Sequence, residues 1–305
     1  MFGIMKWENT MITHLKQLLT QSNHTIAVAC AHDDDVLSAI IQAKEHGIAN
    51  AILVGEEAKI NAILKQYPTH TFRIIHEEDP HEAVKQCIQL VKNKEATILM
   101  KGLVDTSILL KHVVNTQDGL KASPTLAHVA VVKVASMDRY LILSDAAMNI
   151  LPSLEAKVHI IEHCVKVAQA ININPIRVGC ICAVEKVNPK MQCTLDAITL
   201  KTMNEQGVIK GCIVDGPFAL DNALSVEAAH HKGITSANAG LIDVLLLPNI
   251  ESGNVLYKSI TYLAQGESAG IIMGAQVPIV VTSRADSDKI KLNSIALALL
   301  IAQKK

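Results

Sequence analysis

Near its end the sequence sets a hydroxyl, a guanidinium and two carboxylates within six residues, in Ser283-Arg284-Ala285-Asp286-Ser287-Asp288. Such a set can hold an anion, hydrogen-bond a polarised oxygen or sulfur, and take up a proton. Arginine grips a phosphate or carboxylate through a planar fork, and this chain has only four arginines, at 73, 139, 177 and 284. Upstream, Val277-Pro278-Ile279-Val280-Val281 reads as a buried strand that stops at Thr282. Downstream, Ile290, Leu292, Ile295, Ala296, Leu299 and Leu300 recur at helical spacing, with Asp286 or Ser287 placed to cap the helix. Strand end, polar turn and helix start would aim free amides and the positive end of the helix at whatever Arg284 holds. An ordinary βα turn with a capping aspartate fits the same residues.

Three further stretches have the same character. Met100-Lys101-Gly102-Leu103-Val104-Asp105-Thr106, Asp215-Gly216-Pro217-Phe218-Ala219-Leu220-Asp221 and Pro248-Asn249-Ile250-Glu251-Ser252-Gly253-Asn254 each follow a strand-like run and precede a helical one. Any one of them could be turn chemistry. Four polar strand ends in one chain, three of them glycine-bearing, fit a site assembled at the carboxyl edges of parallel strands.

Other patterns carry less. His159-Ile160-Ile161-Glu162-His163 matches the H-x-x-E-H zinc pattern, but no third ligand is identifiable. Asp33-Asp34-Asp35 reads as a helix cap plus first-turn charges rather than a metal site. Neither a dinucleotide-binding glycine fingerprint nor a P-loop is present.

The elements that must position these residues alternate along the chain. Helices are expected over 7–20, 36–46, 56–67, 80–92, 153–171, 191–205, 223–231 and 253–264. Strands are expected over 25–30, 51–54, 72–75, 97–100, 176–182, 211–214, 244–247, 269–273 and 278–281. Continuous apolar strands between helices indicate parallel sheets covered on both faces. The pair of runs 129–134 and 140–143 is spaced for a hairpin, so an antiparallel element opens a second domain. At 305 residues the chain exceeds one core. The expected division is 1–122 together with 268–305 as the first α/β domain, carrying the Ser-Arg strand end, and 123–267 as the second.

Composition excludes several classes. Net charge is −1 and aromatics make up 3% of residues, which argues against a nucleic-acid surface. The seven cysteines are scattered, without a Cys-x-x-Cys pair, as in a reduced cytoplasmic protein. The longest apolar run, 295–302, is too short to span a bilayer.

The strand-end stretches, with Ile52-Leu53-Val54-Gly55 and Leu143-Ser144-Asp145-Ala146-Ala147-Met148-Asn149, together resemble the phosphate acetyltransferase and phosphate butyryltransferase family, most closely its butyryl branch. The resemblance covers nearly the whole chain and is strongest over 248–258 and 282–287. It implies a two-domain α/β fold of the isocitrate/isopropylmalate dehydrogenase kind with an interdomain active-site cleft, usually a homodimer or larger. It also implies reversible acyl transfer between coenzyme A and inorganic phosphate, with acyl-CoA, phosphate and acyl phosphate as partners. CoA would be a substrate, with no metal and no bound cofactor. The catalytic group implied is Ser283, Arg284 and Asp288, with Asp286 the other candidate base. Lys101, Gly102, Lys111, Asp145, Asn254, Lys258 and Asp286 would bind CoA or phosphate. Lys111 stands where acetyl-type relatives carry an arginine, keeping the charge without the fork.

Overall fold

The computed structural model describes residues 11–20, 24–68, 70–283 and 286–304. Arg284, and the first part of the helix expected over 7–20, lie outside the described residues. The chain divides into two compact units, one of Met1–Leu120, Ser268–Gly270 and Val277–Lys305, the other of Lys121–Glu267 and Ile271–Gln276.

The first unit begins with α1 (Met11–Leu18), β1 (Thr25–Ala29), α2 (Asp34–Glu45), β2 (Asn50–Gly55), α3 (Glu57–Leu64), β3 (Arg73–His76), α4 (Pro80–Lys92), β4 (Ile98–Lys101) and α5 (Thr106–Val113). Its strands pair in parallel in the order β3-β2-β1-β4. Ile26 to Ala29 and Ile98 to Met100 are wholly buried, because both faces of the central strands are covered. The triple acid behaves as a cap: the Asp33 carboxylate accepts from the Val36 N–H at 2.9 Å, and Asp34 and Asp35 occupy the first turn of α2.

The second unit opens with the hairpin read from the sequence, β5 (Ala127–Lys133) antiparallel to β6 (Leu141–Ser144). It continues through α6 (Leu154–Ala170), β7 (Arg177–Ile181), α7 (Gln192–Glu205), β8 (Ile213–Phe218), α8 (Leu220–Leu224), α9 (Val226–His231), β9 (Val244–Leu246) and α10 (Ile250–Lys258). A π-helical turn, Ser259–Leu263, leads into β10 (Glu267–Met273). Strand order here is β5-β6-β9-β7-β8, parallel apart from the hairpin. The chain returns to the first unit with β11 (Ile279–Val280), parallel to β4, and α11 (Asp288–Ala302).

Three expectations need correction. Asp215-Gly216-Pro217 is not a turn after a strand over 211–214; it lies inside β8, where the register with β7 slips between Gly179 and Ile181. Gly216 takes φ +137° there, a conformation that side chains disfavour, so an irregular strand and a turn share one sequence signature. The helix expected over 223–231 is two helices broken at Ser225, whose extended backbone ends α8 and whose hydroxyl caps α9 by accepting from the Ala228 N–H. The helix expected over 253–264 starts earlier, at Ile250, because Asn249 supplies the cap. Gly253 is therefore inside a helix rather than at its start.

Residues 291–301 of α11 are buried without exception. A helix apolar on every side belongs in the interior, and α11 packs against α1, α2, β4 and β11.

Candidate active site

In the first unit the Ser283 segment is positioned by strand register. Val280 of β11 lies opposite Met100 of β4, so Lys101 leaves its strand beside the residues that follow Val280. Gly102 turns the chain immediately after, donating its N–H to the Ala29 carbonyl at 2.8 Å. A Cβ on Gly102 would sit 2.3 Å from the Cys30 carbonyl oxygen, so the backbones can approach this closely only at glycine. Lys101 is buried, and its ammonium donates to the carbonyls of Gly102 and Val104, both at 3.1 Å. It thus orders the turn that it opens. Lys111 is exposed on α5.

The turn after β11 is closed by one aspartate. Buried Asp286 accepts the Ser283 N–H on Oδ2 at 2.7 Å, and its own N–H donates to the Ser283 carbonyl at 3.1 Å. Ser283 itself is exposed. Between the two capping candidates, Ser287 takes the role, its hydroxyl accepting from the Ile290 N–H. Asp288 sits in the first turn of α11 with its carboxylate toward α2, where the Gln42 amide donates at 3.0 Å and the Ser38 hydroxyl at 3.5 Å. A residue that the sequence reading missed completes the support: Lys291, buried in α11, donates to the Asp286 carbonyl and lies 3.6 Å from the Asp35 carboxylate. Its signal was a lysine inside an otherwise apolar helical stripe.

The second unit builds a comparable corner around Asp145, just past β6. This side chain is 2% exposed, and its carboxylate accepts four hydrogen bonds. The donors are the N–H groups of Ala147 at 2.8 Å, Met148 at 2.9 Å and His128 at 3.2 Å, and the Asn149 amide at 2.6 Å. Asp145, expected to bind substrate, holds its own loop. Helix α10 docks on that loop: a Cβ on Gly253 would lie 2.1 Å from the Asp145 carbonyl oxygen, and the Asn254 amide donates to the Ala146 carbonyl at 3.1 Å. Lys258 ends α10 with its ammonium 5.7 Å from the Tyr257 ring centre and 5.4 Å from that of Tyr262, within cation–π reach.

Asp215 is a second buried anchor that its neighbours explain. Burial pushes its carboxyl up, but hydrogen bonds from Lys201, Ser236, Asn238 and the Gly216 N–H outweigh this and leave it below the usual carboxylate range. Asp221, four residues past the strand's Gly-Pro step, pairs instead with Lys232 at 2.9 Å, so the two carboxylates serve different partners. The H-x-x-E-H histidines also diverge. His159 Nδ1 lies 3.2 Å from Glu162, whereas His163 is buried with Nε2 3.0 Å from the Thr125 carbonyl.

The sequence matches the family described as Phosphate acetyl/butaryl transferase over residues 10–89 and 66–299. It is 48% identical over 282 residues to a phosphate butyryltransferase of Clostridium acetobutylicum, a match covering 92% of this chain and 94% of the relative. A phosphate acetyltransferase of Thermotoga maritima is 44% identical over 278 residues, covering 91% and 95%. Among solved structures, a branched-chain phosphotransacylase from Enterococcus faecalis V583 superposes with a TM-score of 0.81 at 29% identity, covering 92% of this chain and 99% of that one. Matched by the family model and by these relatives along almost its whole length, the chain belongs to the phosphate acetyl/butaryl transferase family.

Proposed function

We propose that the protein interconverts a short-chain acyl-CoA and inorganic phosphate with an acyl phosphate and free CoA, with butyryl or branched short acyl groups preferred. The observation that carries this reading is Ser283, exposed on a turn that Asp286 and Lys291 hold rigid and next in sequence to Arg284. Phosphate, a multiply charged nucleophile, has to be held beside the thioester carbonyl. Arg284 binds it through paired N–H donors and neutralises charge as the tetrahedral intermediate forms. Ser283 hydrogen-bonds the thioester oxygen or sulfur. In the reverse direction the CoA thiol loses its proton to a carboxylate before attacking the acyl phosphate. Asp288 takes that role as the more exposed of the two candidate carboxylates, Asp286 being buried. Both substrates are present together and no acyl-serine forms. CoA enters and leaves as a substrate, and the scheme needs neither a metal nor a bound cofactor. In this reading the protein works in the cytoplasm as a homodimer or larger assembly.

The test is release of free thiol from a panel of acyl-CoAs, with and without phosphate. Two methylenes separate butyryl from acetyl, so a fitted apolar acyl site predicts about a ten-fold or greater preference in kcat/KM for the longer group. Preference for acetyl-CoA would make the protein a phosphate acetyltransferase instead. Phosphate-independent or absent release with every acyl chain would overturn the proposal.

A further inference from the structure

Two of the seven cysteines come together where β7 hands over to α7. Cys182 follows the last residue of β7, Ile181, and its N–H donates to the Phe218 carbonyl at 2.7 Å. Cys193 is the second residue of α7, the next helix. Both line a cavity of about 750 Å³ in the second unit, and their thiols are hydrogen-bonded to each other. Cys182 is buried, whereas Cys193 is partly exposed. Leu151 and Ala183 on the same wall are exposed, so small solutes reach the cavity from outside. Burial pushes the Cys182 thiol up, and the hydrogen bond with Cys193 pushes it further. A hydrogen bond that raises a thiol's pKa is one that the thiol donates, so the Cys182 S–H points at the Cys193 sulfur.

The other cysteines lack this combination. Cys30, Cys87, Cys164 and Cys180 are buried, and such thiols pack as small hydrophobes. Cys212 is partly exposed but precedes β8, where burial alone pushes its thiol up to about 11. Neighbouring thiols, one reachable and one sheltered, are arranged as an attacking and a resolving cysteine. We propose that Cys182 and Cys193 form a reversible redox couple, which hydrogen peroxide oxidises to an intramolecular disulfide. First the Cys193 thiolate attacks the peroxide: an S–O bond forms, the O–O bond breaks, and the leaving hydroxide takes a proton to become water. Cys193 is then a sulfenic acid, oxidised by two electrons that have reduced the peroxide. Next the Cys182 sulfur attacks Cys193 Sγ: the S–S bond forms, the S–O bond breaks, and hydroxide leaves with the Cys182 proton as a second water. A reducing dithiol returns both thiols by exchange, so in a reducing compartment the bond is transient. This chemistry needs neither substrate of the acyl transfer proposed above.

The test treats the reduced wild-type protein with hydrogen peroxide, blocks remaining thiols with iodoacetamide, and digests with trypsin in the absence of reductant. Cleavage after Lys186 and Lys190 puts Cys182 and Cys193 on separate peptides. The disulfide should therefore appear as a linked pair, lighter by two hydrogens than its free peptides, and fragmentation distinguishes Cys182 from Cys180. Dithiothreitol should abolish the link. Cys182→Ser removes the resolving thiol, so dimedone should trap Cys193 as the sulfenic acid. The variant should also accumulate about ten-fold more Cys193 sulfinic and sulfonic acid, which dithiothreitol does not reverse. Cys212 should react alike in both proteins. A Cys193 that resists peroxide or stays unlinked in the oxidised wild type would overturn the couple. So would a link to Cys180 or between two chains, or equal irreversible oxidation with and without Cys182. The wild-type peptide map decides the matter even without the variant.

Discussion

Ser283 and Asp286 exchange two hydrogen bonds across a three-residue step, an arrangement that ties the two backbones together while Ser283 stays exposed. The same economy recurs at Asp145, where four donors converge on one buried carboxylate. Residues of the kind that bind substrates are therefore of two sorts here, some presented to solvent and some consumed in presenting others. Lys101 and Asp145 are of the second sort, since their charged groups already hold backbone atoms. Lys111 and Arg284 are separated by a similar argument. Lys111 is exposed on α5, whereas Arg284 adjoins the braced turn. Arg284→Lys keeps the charge and loses the fork, and should lower kcat/KM for phosphate about 100-fold. Lys111→Arg, an exposed change, should alter it by less than about three-fold. Steady-state kinetics with varied phosphate check both; equal effects would show that the phosphate is held elsewhere.

Helix α10 shows how an element carries the second corner. Asn249 caps it by accepting from the Ser252 N–H at 2.9 Å, and the first turns then press against the loop beyond β6. A glycine inside a helix normally destabilises it by about 1 kcal/mol relative to alanine. At position 253 the sign reverses, because an added methyl would meet the Asp145 carbonyl oxygen at 2.1 Å, and that oxygen belongs to backbone held by four hydrogen bonds. Gly253→Ala should therefore destabilise by about 2 kcal/mol, the scale of an overpacked contact, rather than stabilise. Urea denaturation followed by circular dichroism decides between the two signs. An unchanged or raised midpoint would mean that α10 does not dock as tightly as this contact requires. In α8 and α9 a different rule operates: Ser225 both ends one helix and caps the next, so a single residue sets the bend after β8.

For the molecule as a whole, acid stability depends on carboxylates held in their charged form. Asp215 is such a group: burial raises its pKa, and the donors from Lys201, Ser236, Asn238 and Gly216 more than reverse this. A carboxylate depressed in the folded state contributes stability that is complete above its unfolded pKa of about 3.9 and is lost as pH falls through the lower folded value. Asp215→Asn should accordingly lower the melting temperature at neutral pH, with a deficit constant down to about pH 5 that shrinks below about pH 4. Thermal melts of both proteins across that range test the sign; a deficit that grows in acid would contradict the assignment. The sequence by itself determined the alternation of strands and helices and the hairpin that opens the second unit. These are local matters, legible because apolar periodicity and capping residues act over a few neighbours. It also determined the family, through motifs kept in order along the chain. Only the tertiary structure decided that Asp145 and Lys101 brace their loops, that Asp215 lies within a bulged strand, and that Lys291 supports the Ser283 turn from beneath. Each of those roles depends on a partner distant in sequence or on a backbone approach measured in tenths of an ångström, and residue type alone specifies neither.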